Sequence, residues 1–348
     1  MRRFALFLLN ELKLFRTAVP IHLIAILQPT VLYGVMSLIL VHPTFDVRVT
    51  PPATDEGRAL VAAMRQVGSP IGEPYINPMI VEDNTGGSIQ VVSVETRNGT
   101  PTAVQRFGFI DSNQVKNYRN RLTAAALRLW NAALGDRAVT VEEFPWLSRD
   151  MPYTIYFGMA LLPMTAFLAA VLIGGVLTAQ DFEFQTIVEY RLAPVSPAHI
   201  LGARLVRLVL SGLLSGGVLL VAVGAITGAW PDSLWRVGLT LLPMAIMGGS
   251  LGIMAGLLLR STIPTFLVGL GTSLAGWLLG SAFGLAAGFS GPYETVSRLM
   301  PNTHAVELLF PRYYGTEIGT PTVSMAVLVG SSIVLATLAV LAYRWRVL

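Results

Sequence analysis

Residues 179–207 read AQDFEFQTIVEYRLAPVSPAHILGARLVR, and long apolar runs flank them on both sides. Asp181, Glu183 and Glu189 come first, and Arg191, Arg204 and Arg207 follow. Between them Phe182, Phe184, Ile187, Val188 and Leu192 give a short segment an apolar surface. A polar block between two membrane-length runs is a connector, and this one is too structured for a passive loop. Its apolar side chains need something to press against, and another protein is the natural partner. Pro194 and Pro197 cannot continue a helix, so they stop the segment and aim the chain into the next run.

The flanking runs belong to a set of six, near 19–41, 154–179, 206–228, 237–259, 263–289 and 322–343. Each is long enough to cross about 30 Å of hydrocarbon, which takes about 20 helical residues. The chain has 348 residues, of which 53% are hydrophobic and 13% charged, with mean hydropathy +0.62. That is too apolar and too poor in charge for a soluble protein. Cysteine is absent, which excludes disulfides and thiolate metal sites. The formal charge of +4 does not indicate nucleic acid, because the arginines sit at the ends of runs rather than in one stripe.

Basic residues set the orientation. With a cytoplasmic N-terminus one side receives Arg2, Arg3, Lys13, Arg16, Arg191, Arg204, Arg207, Arg260, Arg344 and Arg346. The opposite short connectors carry only Arg236, Arg298 and Arg312. The expectation is a multi-pass protein of the inner or plasma membrane with both termini cytoplasmic. Residues 1–18, which include Glu11, Lys13 and Arg16, read as a retained interfacial helix rather than a cleaved signal. Phe4, Leu8, Leu12 and Phe15 share one of its faces.

The insert at 42–152 then lies outside, as an α+β domain. Ile89–Arg97 and Thr100–Ile110 are strand-like runs about Asn98-Gly99, a pair suited to a tight hairpin. After them Val115, Leu122, Ala126, Leu129 and Trp130 suggest one apolar helical stripe, and Glu56–Val67 a shorter helix. No metal-ligand or nucleophile constellation stands out in the insert.

Two absences bear on energy supply. Ion-coupled carriers place acids, lysine or histidine inside the bilayer, yet the second to sixth runs contain no acid and no lysine. His22 in the first run reads as a packing or interfacial residue. A phosphate-binding loop needs a glycine-rich turn ending in Lys and Ser or Thr, and neither Lys13 nor Lys116 follows one. A membrane protein with neither energy source suggests a subunit driven by a separate one.

Four stretches resemble the type-2 ABC transporter permease family, the membrane half of ATP-driven exporters. LLNELKLFRTAVPIHLIAILQPTVLYG at 8–34 resembles the family's entry into the membrane. DFEFQTIVEYRLAPVSPAHILGARL at 181–205 resembles its coupling stretch, with Glu183, Thr186, Leu192, Pro194, Ser196 and Arg204 in the matching places. Gln185 stands where the family usually has glycine, and Arg204 where lysine is commoner. RLMPNTHAVELLF at 298–310 resembles a re-entrant segment, and the last run ends in Tyr343, Arg344 and Arg346.

The resemblance implies a connecting helix at 1–18, a first span at 19–41, and a membrane domain at 153–348. Within the latter it implies a coupling helix near 181–196 and a re-entrant segment near 291–312. It implies a permease that forms its pathway with a second copy or a paralogue, with membrane lipid around it. It also implies a separate cytoplasmic ABC ATPase carrying ATP and magnesium, and no cofactor on this chain. Asp181, Phe182, Glu183, Phe184, Thr186, Tyr190, Arg191 and Pro194 are its coupling residues, with Phe182, Phe184 and Tyr190 as knobs. Glu294, Arg298, His304 and Glu307 would form a polar network at an outer gate. Small residues at Gly212, Ser215, Gly216 and Gly217, or at Gly248, Gly249, Gly252 and Gly256, would let two permeases meet. An ATPase-independent channel or carrier, and a membrane-anchored receptor or scaffold, are the alternatives.

Overall fold

The structure, a computed structural model, describes residues 2–13, 19–40, 45–50, 54–68, 74–81, 90–97, 100–107, 112–134, 152–192, 196–286 and 291–347. They fall into two compact units, Met1–Leu40 with Met151–Leu348, and Val41–Asp150.

The first unit contains α1 (Arg2–Lys13), α2 (Val19–Leu40), α5 (Tyr153–Glu183), α6 (Ile187–Leu192), α7 (Pro197–Thr227), α8 (Leu234–Leu259), α9 (Thr262–Leu279), α10 (Pro292–Leu299), α11 (Pro301–Tyr314) and α12 (Pro321–Val347). Of these, α2, α5, α7, α8, α9 and α12 are long and apolar enough to cross a membrane. Helix α5 is apolar all round and is buried along most of its length, the mark of a central helix. It packs against α2, α7, α8, α9 and α11. With 31 residues it is about 46 Å long, well beyond roughly 30 Å of hydrocarbon. Its acidic end, Asp181 and Glu183, therefore has room to project out of the apolar layer.

Glycine spacing sets the closest packing. Gly248, Gly252 and Gly256 recur every fourth residue on α8 and face Phe167 O, Val171 O and Gly175 O, which recur every fourth residue on α5. A Cβ at these glycines would lie 2.3, 2.3 and 2.6 Å from those oxygens. A Cβ at Gly212 of α7 would likewise sit 2.6 Å from Ala166 O. Most of the small residues expected to join two permeases thus serve contacts inside one chain, because α5 must be approached closely from several sides. Gly217 has nothing within 4 Å of a Cβ.

Two further expectations change. The apolar run at 263–289 is not one span, since α9 stops at Leu279 and Ser281 adopts a left-handed φ of 64°. Tyr156 Oη donates to Ser281 O at 2.8 Å and Asn302 Nδ2 to Gly280 O at 2.6 Å, supplying carbonyls that leave the helix with partners. Secondly, Arg204 and Arg207 do not sit in a connector before the third span. Helix α7 begins at Pro197, so both arginines lie within it, and both are buried.

The second unit contains β1 (Phe45–Val49), α3 (Asp55–Gln66), β2 (Ile76–Ile80), β3 (Gln90–Arg97), β4 (Thr100–Phe107) and α4 (Ser112–Leu134). The strands form a mixed sheet in the order β2-β1-β3-β4, with β1 parallel to both neighbours and β3 antiparallel to β4. Both edge strands carry proline, Pro78 and Pro101, which withholds a donor from any strand arriving at the edge. Thr54 caps α3 through Gly57 N, and Asp55 and Glu56 complement its N-terminal dipole. Val47, Val49, Leu60, Met64, Ile76 and Val92 build the core, which Leu122, Ala125 and Leu129 of α4 join. That stripe differs from the expected one: Trp130 is 58% exposed and Ala126 is exposed too. The Asn98-Gly99 turn lies outside the described residues.

Candidate functional site

The polar centre of the membrane unit is built around two arginines one helical turn apart on α7. Arg204 Nε donates to Glu11 Oε1 at 3.5 Å, Nη1 to Asp181 Oδ2 at 2.7 Å and to Thr178 Oγ1 at 3.2 Å, and Nη2 to Tyr190 Oη at 3.0 Å. The guanidinium also lies 5.4 Å from the Tyr190 ring centroid. Arg207 Nη1 donates to Glu11 Oε2 at 3.0 Å, and Nη2 lies 3.4 Å from His22 Nε2. Arginine only donates, so that imidazole nitrogen accepts and carries no proton.

Five helices meet here: α1 through Glu11, α2 through His22, α5 through Thr178 and Asp181, α6 through Tyr190, and α7 itself. Glu11 and Arg204 are 3% and 4% exposed. Two guanidiniums and two carboxylates balance, which is what a buried ionic cluster needs to repay desolvation. A glutamate expected on an interfacial helix is thus a buried counter-ion. Lys13 is exposed, and Arg16 lies outside the described residues.

The corner between α5 and α6 is fixed from within. Thr186 Oγ1 donates to Asp181 Oδ1 at 3.2 Å, while Asp181 Oδ2 holds Arg204. Glu183 accepts from Thr262 N at 2.7 Å and Thr262 Oγ1 at 2.6 Å, closing the N-terminus of α9, where Ser261 offers no side-chain cap. Phe182 lies beneath the Arg260 guanidinium at 5.1 Å. Of the three aromatic knobs expected, Phe182 and Tyr190 are thus committed to internal contacts, and Phe184 stands out, 70% exposed. Val188 and Leu192 are exposed beside it, whereas Ile187 is core. The side chain of Arg191, and all of Pro194, lie outside the described residues.

Gln185 adopts φ 59°, the left-handed conformation that glycine takes without strain. The glycine usual at this position in the family it resembles therefore has a backbone reason. Left-handed backbone costs an ordinary residue about 1–2 kcal/mol, and the freer unfolded chain of a glycine returns roughly 0.5–1 kcal/mol. Gln185→Gly should therefore raise stability by up to about 1.5 kcal/mol, read as a higher unfolding midpoint in detergent. An unchanged or lower midpoint would count against the strain.

The residues expected at an outer gate form a second cluster. Arg298 pairs with Glu294 at 3.0 Å within α10. Ser324 Oγ donates to Glu307 Oε2 at 2.6 Å, so it accepts from His304 Nδ1, 3.2 Å away. His304 Nε2 faces the Arg298 carbonyl at 3.0 Å, and that oxygen can only accept. Protonated, His304 can donate from both ring nitrogens at once, and it then stands as an imidazolium 3.7 Å from the Glu307 carboxylate. The interaction with Glu307 holds the imidazole pKa above its ordinary value, against burial and with help from the Arg298 carbonyl. Burial would raise Glu307, but its interaction with His304 and the hydrogen bond from Ser324 prevail and hold it low.

A raised histidine stabilises the fold fully below its unfolded pKa, about 6.5, and that stability is lost as pH rises through the folded value. A lowered glutamate acts in reverse, losing its contribution as pH falls through its folded pKa. Raising the pH from below about 6.5 into the alkaline range should lower the wild-type melting temperature. His304→Gln should flatten that slope, and an unaltered slope would contradict the assignment. Among the described residues, no three acidic or histidine side chains converge as a metal site requires.

Residues 88–341 match the family described as ABC-2 family transporter protein. No curated protein matches the chain.

Proposed function

The chain belongs to the ABC-2 family of transporter proteins, whose permeases are the transmembrane component rather than the ATPase, and from that premise we propose that it is the permease subunit of an ATP-driven exporter. A separate cytoplasmic ABC ATPase binds ATP and magnesium, and two permeases, identical or paralogous, form the pathway. Both termini and α6 lie on the cytoplasmic side, and the Val41–Asp150 unit lies outside. The outer gate includes Glu294, Arg298, His304 and Glu307.

Helix α6 is the coupling element. One observation carries this reading: α6 and its entry turn expose Phe184, Val188 and Leu192, while Tyr190 ties the same helix to the buried Arg204 cluster. A push on these apolar side chains reaches α5 and α7 through Asp181 and Arg204, and reaches α1 through Glu11. Glu183 gives the corner a second anchor, on α9.

Purification of the tagged chain from its native membrane should retain an ATP-hydrolysing subunit. Phe184→Ala combined with Leu192→Ala should lower both that retention and export, while leaving the thermal midpoint of the isolated permease unchanged. Failure to retain any ATPase, or undiminished export by the double variant, would remove α6 as the coupling element.

A further inference from the structure

A cavity of about 190 Å³ lies within the membrane unit, lined by α5, α8, α9, α11 and α12, with α9 and α12 both packed against α8. Met164, Phe167, Met247, Trp277 and Leu335 give it an almost wholly apolar wall. Water needs two to four polar partners to be held in such a space, and an apolar cavity of about 150 Å³ stays dry yet accepts a benzene ring. An empty cavity is also unfavourable, because its lining forfeits dispersion contacts on one side. It is smaller than the roughly 300–1,000 Å³ of pockets that enclose whole drug-sized ligands. Its size suits one ring or a segment of a chain.

Its borders show what is at hand to fill it. Thr272 is exposed, and Gly276 and Leu335 are half-exposed. A Cβ at Gly276 would meet nothing within 4 Å. On the same face of α9 as Thr272 and Gly276, one turn to either side, Val268 and Leu279 are exposed, and one turn beyond Leu335 on α12 Leu338 is exposed. In a protein that crosses a bilayer these faces are bathed in hydrocarbon. Methionine at the wall adds adaptable packing around a chain that is itself flexible.

We propose that this cavity is an acyl-chain site, occupied by the end of a membrane-lipid chain that enters between α9 and α12. It requires that the six helices span a bilayer, and it is independent of the coupling role given to α6. Trp277 is 5% exposed and lines the site, so it reports on occupancy. The full chain, with Trp277 kept as the last of its six tryptophans, would be placed in nanodiscs of phosphatidylcholine brominated near the chain ends. Bromine quenches indole fluorescence at contact. Quenching of Trp277 is expected, with loss of most of it in Gly276→Leu, which fills the cavity. Gly271→Leu adds the same side chain to an open position outside the lining and should leave quenching as it was. Native mass spectrometry of the unaltered protein provides a second readout that needs no tryptophan replacement, and Gly276→Leu should lose a retained lipid. An unquenched Trp277, or equal quenching and equal lipid retention with and without Gly276→Leu, would overturn the site, whether the space is empty or closed by a second copy.

Discussion

Glu11→Gln should cost about 3–5 kcal/mol of stability, the range found when one partner of a buried ionic group is removed. Glu11 bridges Arg204 and Arg207, one oxygen to each, and all three side chains are at most 5% exposed. Without its charge, two guanidiniums one turn apart share Asp181 alone, and α1 loses its hold on α7. The change is isosteric, so lost packing cannot explain the effect. Thermal or denaturant unfolding in detergent would read it. A second variant separates charge balance from simple damage: Arg207→Met added to Glu11→Gln removes the orphaned cation and leaves the Arg204–Asp181 pair neutral. The double variant should be more stable than Glu11→Gln alone. If the two losses merely add, the cluster is not held by charge compensation.

That cluster was the part of the protein least legible in the sequence. Arg204 and Arg207 read as positive charges marking a cytoplasmic boundary, which is how basic residues near span ends usually act. Their partner Glu11 is 193 and 196 residues away, on a helix whose own periodicity points only to an interface. Pairing across such a distance leaves no local pattern. The spans themselves were legible, because a run of about 20 apolar residues has few alternatives to a membrane helix. The fifth run was the exception. Hydropathy continues past Gly280, whereas the backbone does not, and the partners Asn302 and Tyr156 that accept the break come from other helices.

The coupling stretch was legible as a surface and illegible in its details. Its apolar residues divide into a core side chain, Ile187, and the exposed Phe184, Val188 and Leu192. Asp181, Thr186 and Tyr190 turn inward. Glu183 shows what residue type alone omits: the acid expected to serve coupling also closes α9. Replacing Glu183 therefore tests a helix terminus together with coupling, and Phe184 is the cleaner probe of α6.

Glycine periodicity in α8 gave the spacing without the partner, and the second large effect is expected there. Gly252→Ala places a Cβ 2.3 Å from Val171 O and 2.9 Å from Gly175 N. Both are backbone atoms of the central helix, so no rotamer change can relieve the overlap, and α5 and α8 must move apart. Separation at one point loosens the neighbouring contacts at Gly248 and Gly256, which lie one turn to either side. Overpacking of this kind costs about 1–3 kcal/mol and sometimes more. Gly248→Ala, 2.3 Å from Phe167 O, should behave alike. Gly217→Ala on α7 is the matched control, since its Cβ meets nothing within 4 Å, and it should gain helix propensity without strain. Unfolding midpoints of the three variants in detergent separate the two uses of a membrane glycine. If Gly252→Ala left a freshly purified monomer intact and weakened only its association with a second permease, the α8 glycines would serve the dimer after all. If the monomer itself loses stability, the close approach of α5 to α8 holds each subunit together, and any dimer must be built on other surfaces.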